Sequence, residues 1–258
     1  MKGENPRVMY GELFDSTIPF GEPELTRAST YRRYLDGLED DATVSGVGTR
    51  LSQLSPSLQA DLLRFEEGGG GSEAVEVIAA CLRHAARLTI HLQCADRVVP
   101  LTVFAPERLV HCPMNLAELV ERHLSRVQVM NVEPALLRPP GDSQRALVGE
   151  SHRYHSLPPL MWELAMRGPR RELLPEIAGP AVYRVAPGLD VAGLPASGVL
   201  KAAIERLRRQ TANLSELAGW PALDRERASR LLNALYLQAG LIVSRSHPDA
   251  VRESWFGG

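Results

Sequence analysis

The sequence predicts an α+β fold: an antiparallel sheet with flanking helices, followed by a C-terminal module of three helices and a strand. Three observations carry this. Between residues 88 and 132 the apolar period changes to two, as a half-buried sheet requires. Apolar stripes at helical spacing flank that stretch on both sides. The last sixty residues then show helix starts and stops in close succession.

The N-terminal stretch, residues 1–54, is an acidic, loosely structured arm. One helix is expected over 24–38, where Leu25, Tyr31, Tyr34, Leu35 and Leu38 line a stripe, and a loop over 41–49, where glycines collect. Ser55-Pro56 starts the next helix, a hydroxyl cap followed by proline at the first helical position. That helix stops at Gly68, Gly69, Gly70 and Gly71, whose backbone entropy resists any regular element. A phosphate-cradling loop needs Lys followed by Ser or Thr there, after a strand; neither condition holds. Ser72 is the expected cap of a third helix running to about residue 86.

Residues 55–133 form the α+β domain. Strands are expected over 88–93, 98–104 and 108–112, joined by turns at 94–97 and 105–107 as a meander. Asn115 caps a helix over 116–124, and a strand returns over 126–132. Residues 134–196 contain ten prolines, which break helices and remove ladder donors, so this is a connector of short elements. Its clearest piece is a helix over 159–166, begun by Pro159 and ended by Gly168-Pro169.

The terminal module occupies 197–258. Val199, Leu200, Ala203, Ile204 and Leu207 line one face of its first helix. Asn213 opens a short second helix, and Asp224 caps a third with Ala228, Leu231, Leu232, Leu235 and Tyr236 as its stripe. Gly240 is the expected stop, before the strand Leu241-Ile242-Val243. The pattern of a short Ser-Glu-Leu-Ala helix, a long helix and then Gly-Leu-Ile is similar to the winged-helix ends of bacterial regulators. It also resembles the C-terminal modules of PatA-type signalling proteins, which lack clear DNA-reading residues. The resemblance spans residues 197–245 and implies a winged-helix-like output or interaction module. In a DNA reader, Arg225, Arg227 and Arg230 would face phosphates and base edges, with Arg245 near the wing. Asp224 and Glu226 interrupt that positive face, and His247-Pro248 leaves a short wing.

The bulk numbers narrow the function classes. The 258 residues are 44% hydrophobic and 23% charged, and a net charge of -2 does not by itself predict a nucleic-acid or membrane partner for the chain as a whole. Three cysteines without a CxxC motif argue for a reducing compartment, and the absence of a signal-like or spanning apolar run predicts a cytoplasmic protein.

Two constellations bear on chemistry. His91, Cys94, His111 and Cys112 are zinc-type ligands, but adjacent His111 and Cys112 point to opposite faces of a strand, so no metal site is expected. His152 and His155 follow Glu150 and could serve acid–base chemistry in a cleft with a carboxylate. No nucleophile elbow, zinc-protease or dinucleotide motif is present. The resulting expectation is a non-enzymatic regulatory or signalling accessory protein with no cofactor. Its partner is another protein, with self-association or DNA as alternatives, and an enzyme of unknown class is the third option.

Overall fold

The computed structural model describes residues 25–45, 54–67, 73–190, 193–196 and 198–245. The four-glycine run, Ser72 and His247-Pro248 lie outside them, as does most of the N-terminal arm. The fold is α+β.

The arm contributes α1 (Ala28–Ser45), which runs through residues 41–45 where a loop is expected. No proline occurs within it and its only glycine is Gly37, where an added Cβ would meet open space. The chain entering α1 is tied to the sheet: Ala28 N–H donates to the Asp96 carbonyl and Val98 N–H to that of Thr26. Helix α2 (Pro56–Glu67) starts as Ser55-Pro56 demands, with Leu58 N–H donating to Ser55 Oγ at 3.4 Å. Helix α3 (Ala74–Arg83) is capped by Glu73 rather than Ser72. Glu73 and Glu76 form a reciprocal box, each side chain meeting the other's backbone N–H.

Strands β1 (Arg87–Cys94), β2 (Arg97–Phe104) and β3 (Leu109–His111) form the expected meander. Pro100 is tolerated within β2 because β3 pairs only Thr102–Phe104, so Pro100 has β1 on one side and no ladder on the other. Two further strands complete an antiparallel five-stranded sheet of order β4-β1-β2-β3-β5, namely β4 (Gln128–Pro134) and β5 (Tyr154–Ser156).

Asn115 does cap the next helix, accepting from Ala117 and Glu118 N–H, but the helix is irregular. Its α-helical part, α4, covers Leu116–Glu118. It widens to a π-helix over Leu119–His123 and tightens to a 3₁₀ turn over Leu124–Arg126.

Within the proline-rich stretch, α5 (Leu157–Arg167) begins with Pro158 and Pro159 in its first turn. It buries Leu157, Leu160, Met161, Trp162, Leu164 and Ala165, so it is a core helix packed against α3 and α8. A further strand, β6 (Val182–Val185), is absent from the sequence-level expectation.

After residue 197 come α6 (Gly198–Arg209), α7 (Leu214–Ala218), α8 (Arg225–Leu237) and β7 (Leu241–Ser244), the order anticipated. Asn213 and Glu216 form a capping box on α7, and Asp224 Oδ1 accepts from Arg227 N–H at 2.7 Å to start α8. The stop of α8 differs from the expected glycine. Ala239 takes the left-handed conformation (φ 56°), while Gly240 packs under Leu189, whose side chain would have to shift to admit a Cβ, 2.5 Å from Cδ2. The partner of β7 comes from upstream: β6 pairs with it antiparallel, and Tyr183 exchanges two backbone hydrogen bonds with Ala212.

One hydrophobic core runs from α2, α3 and the sheet through α5 into α6, α7 and α8. Among the described residues no helix is long and apolar enough to cross a membrane.

Candidate functional site

An open cleft of about 780 Å³ lies between the irregular helix and α5. Such a volume suits a small molecule or a few side chains of a peptide. One wall carries Met114, Leu116 and Val120, all half-buried; the other is α5, with Pro159, Leu160, Glu163 and Arg167. The third side is the 3₁₀ turn Ser151–Arg153 and β5, which bring in His152, Arg153 and His155. Thus the two histidines singled out in the sequence share a solvent-open cleft, and carboxylates stand near them. The widened π-helical turn supplies Val120 and Glu121, and such turns cluster at functional sites.

The electrostatics of the cleft are nearly self-compensated. Arg167 pairs with Glu163 at 3.3 Å, one turn away on α5. Arg153 Nε donates to Glu150 at 2.7 Å and its Nη1 to the Pro113 carbonyl, which fastens the 3₁₀ turn to the end of β3. The Arg153 hydrogen bond holds the Glu150 carboxyl below its ordinary range. His152 Nε2 lies 3.6 Å from Glu150, and both side chains are largely exposed. His155 is more sheltered; burial, then the neighbouring His152, pushes its pKa down.

Behind the cleft His111 is buried, with its Nδ1 lacking a hydrogen-bond partner among the described residues and its ring edge-on to Tyr154 at 4.9 Å. Burial, reinforced by the Arg153 cation, lowers its pKa to about 4, so at neutral pH it is an uncharged packing residue. Tyr154 O–H donates to the Arg138 carbonyl at 2.6 Å and accepts from Gly149 N–H at 2.9 Å, pinning the loop that precedes the turn. A Cβ at Gly149 would lie 2.9 Å from His111 Nε2, so any side chain there would displace the imidazole.

The sulfur and imidazole groups considered for zinc do not converge. His91 Nε2 meets Glu133 at 2.9 Å across β1 and β4, and its ring stacks on Tyr31. His111 lies two strands away on β3, and Cys112 just follows it. Among the described residues no three His, Cys, Asp or Glu side chains form a metal-holding group. Cys81, Cys94 and Cys112 are free and buried, with burial raising their pKa values to about 12, 12 and 11.

The four arginines considered for DNA contact are separated in role. Arg225 and Arg227 are exposed, the latter donating to the Ala222 carbonyl at 3.3 Å. Arg230 turns inward: it pairs with Glu226 at 2.9 Å and donates to the carbonyls of Ala165 and Gly168 at the end of α5. Arg245 grips the carbonyls of Glu176 and Ala178 at 2.8 Å each. The guanidinium of Arg206 on α6 lies 4.1 Å over the Trp220 ring.

No protein-family model matches the chain, and neither a curated protein nor a solved structure does. The cleft's other contributors, Met114, Val120, Arg153, Glu163 and Arg167, carry no sequence motif. Only the neighbouring Asn115 cap and the Glu150–His155 cluster offered a local signal for this place.

Proposed function

We propose that this chain is a non-enzymatic, cytoplasmic regulatory or signalling accessory protein of bacterial type, and that its cleft receives an apolar-anchored segment of another protein. The observation that carries this reading is the character of the cleft. Three half-buried apolar side chains, Met114, Leu116 and Val120, face a proline-begun helix, while the formal charges of Arg153 and Arg167 balance those of Glu121 and Glu163. A charge-balanced, apolar-walled groove favours a peptide anchor over a polyanion, which needs a clean basic surface.

Recognition of DNA by the terminal module, the alternative, would rest on Arg225 and Arg227. Arg230 and Arg245 spend their donors on backbone carbonyls, and a winged-helix-like output role for this module therefore fits protein contact better than base reading.

Selection of displayed peptides on the intact protein tests the cleft. Peptides with two or three apolar anchors are expected to enrich, and Met114→Glu and Val120→Glu should each weaken them about tenfold by burying a charge. Enriched peptides indifferent to both substitutions would overturn the reading. Sedimentation of the unliganded protein identifies a second copy as the partner if a dimer forms and the same substitutions dissolve it.

Acid–base catalysis is the second reading, favoured by the placement of His152 beside Glu150 in an open cleft with His155. It predicts turnover of generic ester or phosphate substrates that is lost in both His152→Ala and His155→Ala. The exposure of the His152–Glu150 pair makes it the weaker one, since solvent screens both groups.

A further inference from the structure

A second pocket of about 500 Å³ lies at the start of α5, where the β2–β3 turn meets the C-terminal helical module. Its walls are mostly apolar: Pro158, Pro159, Ala186, Leu189, Leu194 and Ala239. Gly188 and Gly193 also border it, and a Cβ at either would meet only open space. Into this setting the turn brings Arg108, held in the left-handed conformation (φ 55°) with its carbonyl accepting from Leu157 N–H.

Arg108 is half-buried, yet its one side-chain partner among the described residues is neutral. Its Nη2 donates to Gln238 Oε1 at 3.3 Å. Gln238 is buried at the end of α8, and its amide donates to the Pro158 carbonyl at 2.9 Å, which aims Oε1 at the guanidinium. Four of the five guanidinium N–H groups are left for another acceptor. Three other partly buried arginines do meet acids: Arg83 pairs with Asp61 and Glu176, Arg87 with Glu107, and Arg170 with Glu73 and Glu76. A partly desolvated cation gains from an anion placed against it, and the pocket leaves room for one beside Arg108. Burial alone depresses the Arg108 pKa, with no carboxylate opposing it.

We propose that this pocket binds a small monocarboxylate with an apolar body. The fork of Arg108 takes both carboxylate oxygens, and the proline and leucine walls take the hydrocarbon. A single charge is preferred over a phosphate dianion because one arginine supplies the positive field. The walls belong both to the sheet layer and to the terminal module, so an occupant bridges the two.

Calorimetric titration of the full chain with benzoate, benzamide and inorganic phosphate tests the assignment. Saturable benzoate binding is expected, with neutral benzamide at least about tenfold weaker, the value of a charge-assisted pair. Phosphate should bind more weakly than benzoate. Arg108→Gln should reduce benzoate affinity by a similar factor without lowering the melting temperature, because it removes an uncompensated cation. No saturable benzoate binding up to about 10 mM, a concentration that detects even millimolar affinity, would overturn the proposal. So would benzamide or phosphate binding as tightly as benzoate, or an Arg108→Gln protein that keeps full affinity. The comparison of benzoate with benzamide uses the unaltered protein and stands even if the variant does not fold.

Discussion

At the scale of single residues, the arginines divide into those that hold the fold and those that face solvent. Arg230 is 12% exposed in its side chain and satisfies two carbonyls at the end of α5, so its loss strands buried acceptors. Arg230→Ala should lower unfolding stability by about 2–3 kcal/mol in a urea titration. Arg225→Ala, at an exposed position, should stay within about 0.5 kcal/mol of the parent. His111 gives a pH signature. Its imidazole gains a proton near pH 6.5 when unfolded but only near 4 when folded, so the unfolded state binds more protons in that window. Stability should therefore fall as pH drops from about 6.5 to 4, by up to about 3 kcal/mol. The lowered pKa of His155 acts in the same direction. Replacing His111 with leucine should flatten the slope measured by urea unfolding at a series of pH values; an unchanged slope would assign it to other groups.

At the scale of elements, polar side chains determine how the helices dock. Asn233 is 1% exposed on α8; its Oδ1 accepts from Leu174 N–H at 2.9 Å and its Nδ2 donates to the Glu172 carbonyl at 2.8 Å. One amide thus anchors the chain leaving α5. Asn233→Ala leaves one buried donor and one acceptor unpaired, and should cost about 2–4 kcal/mol in thermal or urea unfolding. Asn233→Asp should do no better, since it replaces the amide donor with a charge. Local signals of this kind differ in legibility. The caps at Ser55, Asn115, Asn213 and Asp224 act over three residues and are visible in the sequence. Strand β6 is not, because four residues between prolines have no periodicity of their own and become a strand only when β7 and Ala212 supply partners. Likewise the change from α-helix to π-helix at Leu119 follows no breaker in the sequence.

At the scale of the molecule, α5 is the joint. Trp162 is 1% exposed and belongs to the same core as Ile78 and Val103 on one side and Leu231 and Leu235 on the other. A shared core implies shared cooperativity. Unfolding followed by tryptophan fluorescence and by far-ultraviolet circular dichroism should give coincident transitions. Trp162→Ala should shift both together, by about 3–5 kcal/mol. Separate transitions would mean that the sheet and the terminal helices are independent units.

The sequence by itself determined the α+β class, the meander from Arg87 to His111, the stripe of each terminal helix and most helix starts. These depend on periodicity and on hydrogen bonds spanning a few residues, which the linear order already contains. Tertiary structure alone decided the roles of the polar groups. It turned Arg230 and Arg245 inward, left Arg108 without an ion pair among the described residues, and gathered His152, His155 and Val120 around one cleft. Charge pairing and cavities arise between segments far apart in the chain, and their energies depend on distance and burial, which exist only after the core has closed.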